Sequence, residues 1–175
     1  ELIKKSCALS DSGFRRVLKF LKPGIYEYEV EAELSHEFIS KGCSFADYEP
    51  IVASGENSCF LHYIKNDAEC RHGDVLLIDA AAGCANYNAD MTRTIPVNGR
   101  FTSRQKQIYN AVLRAMKGTI AEMKPGKSVR ELQFVTRGST EERTANRLNN
   151  IVGIQSILKP HRQTRSSQRS QTLTI

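Results

Sequence analysis

Two aspartates eleven positions apart, Asp79 and Asp90, lie in a stretch that reads as a tight hairpin. It runs from Val75-Leu76-Leu77-Ile78-Asp79 through Gly83-Cys84-Ala85-Asn86 to Ala89-Asp90-Met91-Thr92. The midpoint of the pair falls between Cys84 and Ala85, and the flanking Gly83 and Asn86 tolerate the positive φ that a turn requires. If the chain folds back there, the carboxylates become cross-strand neighbours with Cβ atoms roughly 5 Å apart. Two bare anions at that separation repel, and one would have to take up a proton at a raised pKa. A bound divalent cation removes the conflict, because hard cations accept carboxylate oxygens from both sides. The spacing also fits an Asp that ends a strand plus an unrelated surface Asp. A one-residue bulge would turn one side chain to the other face.

The elements that must hold this hairpin are legible in outline. Residues 3–22 predict an amphipathic helix with Phe14, Val17, Leu18 and Leu21 on one face, stopped by Lys22-Pro23-Gly24. A second helix, Glu27 to Lys41, has acids at its start and Val30, Leu34, Phe38 and Ile39 as its buried set. Ile51-Val52-Ala53-Ser54 and Phe60-Leu61-His62-Tyr63-Ile64 read as short strands. Thr102-Ser103-Arg104-Gln105 is a capping box that opens a third helix, with Ile108, Val112, Met116, Ile120 and Met123 on one side. Helix-Lys-Pro-Gly occurs twice. An offset of 102 lays Leu18–Val30 over Ile120–Leu132 and Glu29 over Glu131, which implies two related halves. After about Gln133 no equivalent of the second helix or of the strands is expected.

Hydrophobic residues make up 40% of the 175, enough for one core, and no run of about 18 apolar residues suggests a membrane span. No secretory leader is visible, and Glu1 is not a methionine, so the chain is expected to begin inside a longer product. The five cysteines (Cys7, Cys43, Cys59, Cys70 and Cys84) are odd in number and scattered. They read as reduced cytosolic thiols and a cytoplasmic location, not as a disulfide framework. Of the net charge of +6, residues 134–175 carry +5, from seven basic residues against Glu141 and Glu142. The body therefore has a mixed surface without a nucleic-acid footprint. The tail, polar and without aromatics beyond Phe134, is expected to be disordered and aberrant, as from a shifted or truncated reading frame.

Three blocks carry a resemblance: Pro50-Ile51-Val52-Ala53-Ser54-Gly55-Glu56-Asn57-Ser58-Cys59-Phe60-Leu61-His62-Tyr63, then Ile78-Asp79-Ala80-Ala81, then Ala89-Asp90-Met91-Thr92-Arg93-Thr94 with Ile95 to Thr102. Together they resemble the Xaa-Pro aminopeptidases, members of the pita-bread metallopeptidases alongside prolidase, methionine aminopeptidase and creatinase. The resemblance covers about residues 2–132. It implies an α+β fold, the first half of a pita-bread domain over residues 1–133, followed by a non-family basic tail over 134–175. It also implies two divalent metal ions, commonly manganese, with Asp79 as a ligand of one ion and Asp90 as the bridging carboxylate. His62 is implied to contact the substrate near the scissile bond. The implied partner is a peptide with proline at the second position, with no nucleic acid and no membrane, and with a homo-oligomer left open.

The family's later ligands, one histidine and two glutamates, have no match after Gln133; His161 and the Glu141-Glu142 pair lack the context for them. An inactive fragment of a metalloaminopeptidase with weak metal binding is therefore expected. The alternatives are a non-catalytic pita-bread relative acting as a binding module, and a prolidase-type dipeptidase.

Overall fold

The computed structural model describes the backbone of residues 1–138 and the side chains of residues 1–133. Helices α1 (Leu2–Phe20) and α2 (Glu27–Ser40) pack against each other as a helical layer. The inward face of α1 is Ser6, Leu9, Ser10, Gly13, Phe14 and Val17, whereas Leu18, expected inside, is 58% exposed. Small residues hold that face because the helices approach closely. A Cβ on Gly13 would stand 2.7 Å from Phe38 Cε1. On α2, Val30, Leu34 and Phe38 are fully buried, but Ile39 is 65% exposed on the outer side of the last turn. Their core partners are Val17, Val52, Leu76 and Ile78, and Phe45 meets Phe38 edge-on at 5.2 Å.

Among the described residues six short strands form two antiparallel sheets. Strands β2 (Ile51–Ser54), β3 (Val75–Asp79) and β6 (Thr92–Pro96) make one, in the order β2-β3-β6. Strands β1 (Ser44–Phe45), β4 (Ala82–Cys84) and β5 (Tyr87–Asn88) make the other, in the order β1-β4-β5. A single hairpin threads both sheets. Between them Ala80 N donates to Met91 O and Ala89 N to Ala82 O, so the register of β3 with β6 continues unbroken into β4 and β5.

Phe60–Ile64 is not a strand. Gly55–Cys59 forms a 3-10 turn, and the chain then loops back along the outer edge of β2, where Asn66 Oδ1 accepts from Val52 N. The alternating apolar pattern there records an exposed turn: Phe60, Leu61 and Ile64 are 66%, 53% and 54% exposed.

The internal repeat extends further than the sequence suggested. Helix α3 (Ser103–Glu122) carries the expected capping box at Thr102 and Gln105. Helix α4 (Val129–Gly138) begins at the offset of 102 from Glu27 and continues beyond Gln133, so the second half has its own second helix. The caps match as well. Glu29 Oε2 accepts from Tyr26 N at 2.7 Å, and Glu131 Oε2 accepts from Ser128 N at 2.8 Å. The Ser128 donors hold the Glu131 carboxyl well below the usual range. The strand equivalents and the basic tail expected beyond this point lie outside the described residues.

Candidate metal site

The hairpin turns at Ala85 and Asn86, whose φ angles are +50° and +63°. Two consecutive residues of that hand match the twist of the flanking strands. Gly83 does not supply the positive φ that the sequence suggested. Its role is close approach: a Cβ there would lie 3.2 Å from Ala46 Cα and from the Phe45 carbonyl oxygen of β1, and 2.4 Å from Asn88 Oδ1. Gly83→Ala is therefore expected to cost about 1–3 kcal/mol by overpacking. Urea unfolding checks this, and an unchanged midpoint would contradict it.

Because the turn sits one residue later than the midpoint of the aspartates, Asp79 pairs with Thr92 and not with Asp90. Asp90, two residues before Thr92, stays on the same face and is a diagonal neighbour. The separation of such neighbours is roughly 7–8 Å and not the 5 Å of directly opposed pairs. Asp79 is half-buried at the end of β3, and Asp90 is exposed. Both bear on one group that the sequence reading missed. The Tyr48 side chain presses its buried hydroxyl close to Asp79, Asp90 and the Met91 backbone, without a hydrogen bond of ordinary geometry. Burial first, and then the two carboxylates, raise the Tyr48 pKa, so the hydroxyl remains a potential donor. A Tyr in Phe45-Ala46-Asp47-Tyr48 offers no spacing signal toward residues thirty positions away.

Two serines on α1 anchor the hairpin from behind. Ser6 Oγ donates to the Tyr87 carbonyl at 2.6 Å, and Ser10 Oγ accepts from Ala82 N at 2.9 Å. The hairpin is also tied covalently. Cys43 and Cys84 form a disulfide across a Cα separation of 4.9 Å, which corrects the reading of those two as reduced thiols. Their pairing follows from the β1–β4 register, Ser44 beside Gly83, which cysteine spacing does not reveal. The cytoplasmic reading loses that part of its support. Cys7 and Cys59 are exposed thiols, and burial pushes the Cys70 thiol up to about 11. Among the described residues no helix is long and apolar enough to cross a membrane.

His62 has a different support from the one expected. It lies in the exposed turn after the 3-10 segment, at φ +56°, and not on a strand. The same loop returns along the edge of β2 at Asn66. The β3–β6 register thus makes Asp79 and Asp90 diagonal neighbours, and His62 stands on a loop instead of a strand. Hard carboxylate oxygens on one face suit a divalent cation. They are a partial donor set, since among the described residues no group of three or more His, Cys, Asp or Glu could hold a metal.

Residues 1–173 match the metallopeptidase family M24. The chain belongs to that family. It is 39% identical over 131 residues to the Xaa-Pro aminopeptidase of Escherichia coli K12, covering 75% of this chain and 30% of that relative. It is 37% identical over 131 residues to the Xaa-Pro dipeptidase of Homo sapiens, covering 72% and 27%. Among solved structures, zinc-substituted E. coli aminopeptidase P in complex with product superposes with a TM-score of 0.77 at 37% identity, covering 79% of this chain and 31% of that one. The chain therefore has the mixed helix-and-sheet fold of aminopeptidase P and spans about a third or less of the length of these relatives.

Proposed function

We propose that the protein is a metal-dependent peptidase that releases the N-terminal residue preceding a proline. The observation that carries this reading is the shared face of Asp79 and Asp90 in a chain of family M24. Asp79 and Asp90 would hold two divalent ions, manganese by the family resemblance. When bound, such ions supply an activated water and a Lewis acid for the substrate carbonyl. Asp79 is fixed by β3 pairing on both sides, Tyr48 covers the pair from the α2–β2 connection, and His62 offers a ring nitrogen from its exposed turn. The 37% identity to a dipeptidase supports a second reading beside the first, cleavage of Xaa-Pro dipeptides by the same groups.

We further read these 175 residues as one part of the ligand set, the rest coming from a second half that bears one histidine and two glutamates. The fragment is then expected to bind Mn²⁺ weakly and to leave Ala-Pro-Ala uncut. A chain continued through a second half should cleave it, and a preference for Ala-Pro over Ala-Pro-Ala would favour the dipeptidase. Turnover by the 175 residues alone would overturn the partial-site reading. An extended chain that cleaves neither peptide would overturn the peptidase reading.

A further inference from the structure

Glu27, the first residue of α2, is fully buried, yet among the described residues no Lys, Arg or His lies within ion-pair distance of it. A carboxylate removed from water without a counter-cation is costly unless donors surround it. Four do. Oε1 accepts from Ser54 N at 2.6 Å and from Asn57 Nδ2 at 3.2 Å. Oε2 accepts from the Tyr63 hydroxyl at 2.7 Å and from Ala68 N at 3.0 Å. Burial, followed by the Glu27 carboxylate, raises the Tyr63 pKa, so the phenol stays protonated and donating.

The four donors are not scattered. They come from the end of β2, the 3-10 turn, the residue after His62, and the return of the loop toward α2. One side chain thus gathers residues 54–68 at four points, and Asn57 reinforces it by donating to the Tyr63 hydroxyl at 3.0 Å. His62 sits in this clasped segment at a positive φ, an uncommon conformation for a non-glycine residue. The repeat supplies an internal control. The helix start of the second half keeps the cap glutamate, Glu131 for Glu29, but has Val129, 51% exposed, where the first half has Glu27. Starting such a helix therefore does not require a carboxylate at this position, and the loop accounts for it.

We propose that Glu27 is a positioning residue for His62, its carboxylate fixing the backbone of the loop that presents the imidazole. The functional weight of this rests on the peptidase reading of His62; the positioning itself does not. Glu27→Gln keeps the shape but aims an NH₂ at one pair of donors, and each lost charge-assisted bond is worth more than a neutral one.

The test is hydrogen exchange on the 175-residue chain, read segment by segment, together with the His62 ring resonances by NMR. In Glu27→Gln, amides of 55–68 are expected to exchange roughly tenfold or more faster while α1 and β3 keep their protection. The His62 ring signals should move to the position of a histidine in a free peptide. Tyr63→Phe, which removes one donor of four at a half-buried site, should show the same pattern more weakly, and it serves if Glu27→Gln does not fold. Unchanged exchange and unchanged His62 signals would overturn the proposal. So would equal loss of protection in every segment, which marks a residue that merely supports the fold. No readout here is peptidase activity, so failure of the peptidase reading would leave this result standing, and the converse holds.

Discussion

Reduction of the Cys43–Cys84 bond is expected to lower stability by about 4 kcal/mol, the loop-closure entropy for cross-linked residues 41 apart. The closed loop contains β1, β2, the His62 turn, β3 and β4, so the β1–β4 and β2–β3 pairings form inside it. A loss of this size is a large share of the roughly 5–15 kcal/mol typical of a whole domain. Urea unfolding with and without dithiothreitol measures it. Cys84→Ser should unfold at the lower midpoint in both conditions, which separates the bond from any other action of the reductant. Coincident curves for the oxidised and reduced chain would mean that the β1–β4 pairing and the α1 serines hold the hairpin unaided.

Asp90→Asn is expected to divide function from stability. Asp90 is exposed, so the substitution should change unfolding free energy by less than about 0.5 kcal/mol. Under the proposed chemistry it removes an anionic ligand. The loss of Xaa-Pro hydrolysis by a chain carrying both halves should reach about 100-fold or more, at least the effect of removing a group that only supports a ligand. Asp79→Asn should lose as much activity and also some stability, since its carboxylate is half-buried against Tyr48. Retained turnover in Asp90→Asn, with Mn²⁺ present, would remove Asp90 from the site.

What was legible in the sequence was what depends on local rules. Alternation and turn residues are short-range signals, so they locate the hairpin to within one residue of its turn. The shift of one residue sufficed to turn a direct pair into a diagonal one. The Thr102 cap and the 102-residue offset were legible for the same reason, since helix ends use near neighbours. What was not legible depends on distant partners. The run from Phe60 to Ile64 has the pattern of a strand, but its Tyr63 hydroxyl donates to Glu27, 36 residues earlier in sequence. Cys43 and Cys84 meet only through the β1–β4 register. Tyr48 acquires its meaning only when β3 and the segment before β6 arrive beside it. Leu18 and Ile39 follow the helical rhythm yet face outward, because the buried face of each helix is set by how closely its neighbours approach.

The hairpin passes from one sheet to the other at residues 80–81 and 89–91, and both aspartates stand at that crossing: Asp79 closes β3 and Asp90 precedes β6. The gap between their carboxylates is therefore set by the backbone of that crossing, much as the opening of a caliper is set at its pivot. The pivot has little play. Ala80, Ala81 and Ala82 are 0%, 1% and 0% exposed, with Ala89 nearly as enclosed, so bending would drive methyl groups into packed neighbours. Fixed at the tip by the disulfide and along the back by two serine hydroxyls, the arms act as a gauge of set width.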